Sequence, residues 1–148
     1  MANMSDYLEE ALIDEIFRTS TSWSKPTVLA VCLLSTAAVD GDSGVFTSGT
    51  GVEITNANGY ARKDHPPLDA NWTAPSGGDG VTDNLLAITF DVATGDFAPG
   101  PVVASAITDS TTHNAGNLFF HGTVVTTQTI LNTHTPQFPI GSLAITWA

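Results

Sequence analysis

The chain has 148 residues, 42% hydrophobic and only 13% charged, which fits one domain with a real core and leaves little room for a second. Fifteen acidic residues face four basic ones, a formal net charge of −11. Arg18, Lys25, Arg62 and Lys63 cannot neutralise a row of phosphates, so nucleic-acid binding by counterion release and a polybasic membrane anchor are both excluded.

The opening segment has its own pattern. Asn3 or Ser5 can cap a helix, and Asp6, Glu9 and Glu10 then set negative charge on its positive end. Met4, Leu8, Leu12 and Ile16 recur every four residues as one apolar stripe, Arg18 lies at the C-terminal end, and the Ser/Thr-rich residues 19–24 break the period. The spacing predicts an amphipathic helix over 5–17. Ile13 and Phe17 widen the apolar surface. Either both faces pack on the parent domain, or one packs on another subunit. Residues 1–24 thus read as a helix and linker forming an interaction arm, and 25–148 as a β-domain. The acidic start lacks the basic-then-apolar opening of a secretory signal, and the apolar run 28–34 is far too short to cross a bilayer, so synthesis in a host cytosol is expected.

After Pro26 the period changes. Residues 27–36 are β-rich and apolar on both faces, as a central strand requires. Segments 51–55, 59–63, 85–92, 102–108, 118–129 and 143–147 follow as strands, each bounded by Gly, Pro, Asn or Asp. Short strands with almost no further helical period predict a mainly β fold, a single antiparallel β-sandwich or barrel-like domain carrying an N-terminal amphipathic α-helix. Cys32 is the sole cysteine, so an internal disulfide is impossible; its place in an apolar run marks it as a small buried hydrophobe. Two long loops are predicted, at 40–51 and 64–84. Trp72, inside the second, either folds back onto its own sheet or anchors the loop on a neighbour.

Catalytic patterns fail one by one. Gly41-Asp42-Ser43-Gly44 starts like a nucleophile elbow, but Val45 stands where Gly is required. Asp40-Gly41-Asp42 starts like a calcium loop, but its twelfth position is Gly51, not a bidentate Glu. His65, His113, His121 and His134 lack the spacing of a zinc helix. The run 76–80 lacks the Lys of a phosphate cradle and carries Asp79, which repels phosphate. Asn71-Trp72-Thr73 formally matches a glycosylation acceptor that a cytosolic chain would not use. Trp23, Trp72 and Trp147 could form a sugar platform but are scattered along the chain. The expectation is a protein with no catalytic residues, no metal and no cofactor, and not an enzyme.

Ser5-Asp6-Tyr7-Leu8-Glu9 with Leu12 and Phe17-Arg18, the apolar segment 28–36, Gly59-Tyr60-Ala61-Arg62, Asn84 with Ile88-Thr89-Phe90, Ile107-Thr108-Asp109, Gly116-Asn117-Leu118 and Gly141-Ser142-Leu143 occur in an order that resembles a family of small tailed-bacteriophage virion proteins. The chain departs from that pattern at Asn58, Lys63 and Phe97, where Gly, Gln and Trp are common. Such proteins are often labelled tail fibre or minor tail proteins. The resemblance also implies capsid cement (head decoration) proteins, which sit as trimers on the outer surface of the capsid and bridge neighbouring major capsid proteins. It leads to the expectation of a homo-oligomeric structural virion protein, with recognition of a host glycan on the tail as the alternative. The candidate interface residues are Tyr7, Leu8, Leu12, Ile16, Phe17, Arg62 and Trp72. For Arg62 the choice is between a solvated cation and a bidentate partner for a capsid carboxylate; Tyr60 reads as structural.

Overall fold

Strand formation follows the densest runs of Val, Ile, Ala and Thr. The computed structural model describes residues 3–19, 23–46, 50–75 and 80–146. In chain order the elements are β1 (Asn3–Met4), α1 (Asp6–Phe17), β2 (Ala30–Thr36), β3 (Val52–Glu53), β4 (Lys63–Asp64), β5 (Val81–Asp83), β6 (Ile88–Thr89), β7 (Val102–Thr108), β8 (Leu118–Gln128), β9 (Gln137–Phe138) and β10 (Ala144–Thr146). The main sheet runs β1-β8-β7-β2-β3, with β4 also paired to β2; β10-β5 and β6-β9 are separate ribbons. Every pairing among the described residues is antiparallel, and no barrel closes.

The two central strands explain their own composition. Ala30 to Leu34 of β2 and Ala104 to Thr108 of β7 are buried along their whole length because both faces of the sheet are covered. Val31, Leu33 and Ile107 face a larger core filled by Tyr60, Phe90 and Phe97; Cys32, Leu34, Ala104 and Ala106 face a thinner one closed by Phe46 and Leu118. The small side chains on the second face leave room for Ala38 and Phe46 to pack on it. At Gly44 the chain runs so close to the 115–116 turn that a Cβ would stand 2.7 Å from the carbonyl oxygens of Ala115 and Gly116.

The mainly β, antiparallel architecture with one N-terminal helix is as expected, and the long strands fall where their residues predict. The short ones do not. Segment 59–63 is not a strand: Asn58 and Gly59 are both left-handed (φ 55° and 84°), and only Lys63–Asp64 pairs. Segment 85–92 keeps just Ile88–Thr89. Stretch 64–84 is more ordered than a loop, holding β5 and a bridge between Trp72 and Asn84. Asn84, fully buried, donates to the carbonyls of Leu86 (2.8 Å) and Pro139 (2.9 Å) and accepts the Leu143 N–H (2.9 Å), tying that stretch to the C-terminal ribbon. The glycine-rich residues 76–79 and Trp147 lie outside the described residues.

Candidate assembly surface

The helix is fixed firmly at its N-terminal end. Ser5, fully buried, donates its backbone N–H to Phe119 O (3.0 Å) and its hydroxyl to Leu118 O, and accepts the Leu8 N–H (3.4 Å) as N-cap. The Asp6 N–H binds Asp40 O at 2.9 Å, and β1 pairs Asn3 with His121 and Met4 with Phe120. Tyr7 stacks on Phe119 (centroids 5.8 Å apart, planes at 17°), and Leu8 is buried. Asp6 and Glu9 sit in the first turn, where the helix dipole favours them. This is why the segment is helical and why its first turn cannot swing.

The last turns are different. Leu12 is half-buried, whereas Ile13 is 57%, Ile16 68% and Phe17 78% exposed. These three stand at i, i+3 and i+4 and therefore share one helix face. Asp14 and Arg18 form an exposed ion pair (3.0 Å) beside them. The apolar stripe read from the sequence is thus split: its first half packs on β8 and its second half faces outward. Ile13, which the four-residue stripe leaves out, belongs to the outward patch; the i, i+3, i+4 spacing with Ile16 and Phe17 was the signal for it.

A groove of about 980 Å³ opens on the other face of β8. Phe119 and His121 turn towards α1 and the 38–51 loop, while Phe120 between them turns to the larger core and into the groove. Val124, Ile130, Phe138 and Leu143 supply its apolar wall, and Thr123, Gln128 and Gln137 its rim. Among the described residues its lining contains no Asp, Glu, Lys or Arg, although the chain carries −11. Beyond His121 no described strand pairs with the outer edge of β8, and Val125 there is fully exposed.

The cluster most like an active site is structural. Glu53, on β3, receives Arg62 Nε (2.9 Å) and Nη2 (2.8 Å) as a bidentate pair, the Tyr60 hydroxyl (2.8 Å) and the Asn114 N–H (3.3 Å). Arg62 spends its remaining donors on Gly44 O (2.7 Å), Thr108 Oγ1 (3.1 Å), Ser110 O (3.0 Å) and Ala115 O (2.7 Å). Burial pushes the Tyr60 hydroxyl well above its ordinary range, while for Arg62 the penalty of burial is outweighed by the Glu53 hydrogen bonds, which hold the guanidinium charged. No donor of Arg62 is left for another molecule. The expectation that Arg62 is solvated or reaches a capsid carboxylate is therefore corrected: its carboxylate is Glu53 of the same chain. Tyr60, between Phe90 and Phe97, is structural as read.

Trp72 folds back onto its own domain, edge-on to His65 (4.9 Å) with its N–H on Pro66 O (3.2 Å). The four histidines serve separate places: His65 on Asn71 O (3.1 Å), His113 on Ile54 O (2.9 Å), His121 on Asp40 (2.8 Å) and His134 on the Leu131 N–H (3.4 Å). Asp42 is engaged by its own loop, accepting from Val39 N–H, Gly51 N–H (both 3.0 Å) and the Thr50 hydroxyl. Among the described residues no three His, Cys, Asp or Glu gather as a metal-binding group, and no helix is long and apolar enough to cross a membrane.

Among the described residues, the exposed apolar end of α1 and the groove with apolar walls beside β8 are the surfaces best suited to contact with another molecule. Compared with protein families, the sequence matches that described as Podophage GP4 fiber I protein gp80 over residues 3–146. The chain belongs to this family. The gp80 match runs from β1 to β10, so the pinned helix, its outward end and the groove all lie within the family's span. Membership makes the chain a phage virion structural protein of the fibre class. A comparison with curated proteins finds no match.

Proposed function

We propose that this gp80-family member is an adhesive subunit on the outside of a phage particle, held there by the outward end of α1 and carrying out no chemical transformation. The observation that carries the reading is the exposure of Ile13, Ile16 and Phe17 on a helix whose first turn is locked to β8. A loosely tethered apolar segment would lose much of its binding energy to ordering, whereas this one is pre-organised. Burying such side chains is worth about 1.5–3 kcal/mol each, so the patch supplies several kcal/mol per copy, and repetition on a particle multiplies it. The charge of −11 supports a position away from packaged DNA and keeps particles apart.

The family description favours a fibre position. A second form of the same reading, capsid cement in trimers bridging major capsid proteins on the head, is favoured by the small size of the domain. Quantitative mass spectrometry of purified virions separates the two: a handful of copies per particle supports the fibre, hundreds the head. Phe17→Asp, at an exposed position, leaves the β-domain folded and strongly reduces incorporation into particles. Normal incorporation of that variant overturns the role of the helix, and a glycan-binding signal lost in Trp72→Ala would favour receptor recognition instead.

A further inference from the structure

We propose that Asn58 is a site of spontaneous covalent modification: its side-chain amide is lost by deamidation, at a rate set by how firmly that amide is seated on Gly95. The sequence supplies the reactive pair, since Asn58 alone among the eight asparagines is followed by Gly. The fold dictates the second member. Asn58 and Gly59 are the central residues of a four-residue turn closed by the Tyr60 N–H on Ala57 O (3.0 Å), and both have positive φ. Gly59 admits no side chain there, because a Cβ would meet Val92 O at 2.8 Å. Position 58 needs a residue that tolerates the left-handed region, and Asn does. The structure then holds the amide in place. Asn58 Nδ2 donates to Asp96 O (2.7 Å), and Asn58 O accepts the Thr94 N–H (2.9 Å). The amide lies so close over Gly95 that a Cβ on that glycine would stand 2.9 Å from Asn58 Cγ. Both turn residues are exposed to water, and among the described residues no acceptor is paired with the Gly59 N–H.

The reaction needs only solvent. The Gly59 nitrogen gives up its proton and attacks Asn58 Cγ. The N–Cγ bond forms, the Cγ–Nδ2 bond breaks, and Nδ2 leaves as ammonia with that proton, closing a five-membered imide. Water then opens the ring. Cleavage at Cγ yields an aspartate, and cleavage at the main-chain carbonyl of residue 58 yields an isoaspartyl link that puts Cβ into the backbone. Ring closure requires the main chain at Asn58 to leave its turn conformation and the amide to swing away from Asp96 O. Both hydrogen bonds resist this, so the folded chain reacts more slowly than the unfolded one. The product cannot return to its seat. A carboxylate then faces Asp96 O, which has lost its donor, in a chain already at −11. The loss falls beside the larger core: Ala93 and Phe97, flanking residues 94–96, are buried in it, and Phe97 packs edge-on against Tyr60 (5.5 Å).

The test incubates the full-length chain in mildly alkaline buffer, folded and in urea, and follows residue 58 by peptide mass mapping and ion exchange. Asp40-Gly41 and Asp79-Gly80 can close the same ring only by expelling water, which hydrolysis restores, so they leave the mass unchanged. The native chain gains one acid, on the peptide holding residues 58–59, and gains it more slowly folded than in urea. Gly95→Ala pushes the amide off its seat by displacing a movable side chain, with the backbone left in place. Its folded rate rises towards the urea rate, while its rate in urea stays native. Asn58→Gly abolishes the change. The aged chain and Asn58→Asp unfold about 2–4 °C below the native chain, the shift expected for one lost hydrogen bond in a domain of this size. No acid at position 58 in the folded chain, equal rates folded and in urea, or a folded Gly95→Ala rate no faster than native overturns the inference. So does an aged chain that keeps the native midpoint. The comparison of folded with urea-treated native chain needs no variant to fold.

Discussion

Arg62 shows what one side chain can hold together. Its guanidinium joins β3, through Glu53, to the 44 loop, to β7 at Thr108 and to the 110–115 loop, with no exposed side-chain surface on either partner of the ion pair. Removing the cation leaves Glu53 buried and unpaired, so Arg62→Ala costs about 3–5 kcal/mol in urea unfolding, and Arg62→Lys recovers only part of it because an ammonium cannot make the bidentate pair. None of this was legible in the sequence. The segment flanking Arg62 is polar and short, and nothing local says that its carboxylate lies on another strand nine residues earlier. Tyr60 was easier, because an aromatic in a short predicted strand reads as a core residue; Gly59, read as the start of that strand, instead takes positive φ, with Val92 O only 2.8 Å from where a Cβ would be. Asp42 gives a pH dependence. Its slight burial raises its pKa, but the hydrogen bonds from Thr50, Val39 and Gly51 outweigh this and hold the carboxyl below its ordinary value. A depressed folded-state value means that the stabilisation is present above the unfolded-state pKa and is lost as pH falls through the folded one. Protection of the Gly51 amide, taken relative to its intrinsic exchange rate at each pH, is accordingly high at neutral pH and falls in acid; Asp42→Asn removes that acid transition.

For secondary-structure elements, legibility follows where the determinants lie. The helix is set locally by the cap Ser5, an acidic first turn and an apolar period in its own twelve residues, and it ends at Phe17 as the pattern requires. β2, β7 and β8 carry long β-branched and apolar runs, so they were readable too. Two-residue strands such as β3, β4, β6 and β9 exist because a neighbouring strand completes them, and no periodicity fits in so short a stretch. The 64–84 stretch looked empty because its order comes from side-chain ties through Asn84 and Trp72, not from an apolar pattern. The stripe on α1 was visible, but not which half of it is covered, since that depends on how far β8 extends beneath the helix. The cap gives a direct test: Ser5→Ala removes the N-cap and the bond to Leu118 O, costing about 1–2 kcal/mol and lowering exchange protection in the first turn of α1 more than in β7.

For the molecule as a whole, charge decides how copies meet. Subunits of −11 repel over roughly a 10 Å Debye length at 0.1 M salt, whereas the outward face of α1 is apolar, with the Asp14–Arg18 pair beside it. Copies held close together on one particle therefore repel less as NaCl rises from 0.05 to about 0.5 M, so occupancy of the particle at a fixed protein concentration increases with salt, opposite to an interface built on ion pairs, and quantitative mass spectrometry of the particles measures it. The class of protein was readable from motifs spread along the chain; the groove was not, because its walls come from β8 and from residues 130–146, which meet only in three dimensions. The same remoteness acts during synthesis. The hydroxyl partner of Ser5 and the stacking partner of Tyr7 are Leu118 and Phe119, the first of them translated 113 residues after Ser5. A nascent chain emerging at about 5–20 residues per second has its sticky leading segment out long before it has a surface to fix it on. An interrupted translation product lacking β8 cannot orient Ile13, Ile16 and Phe17 for the docking role proposed for them.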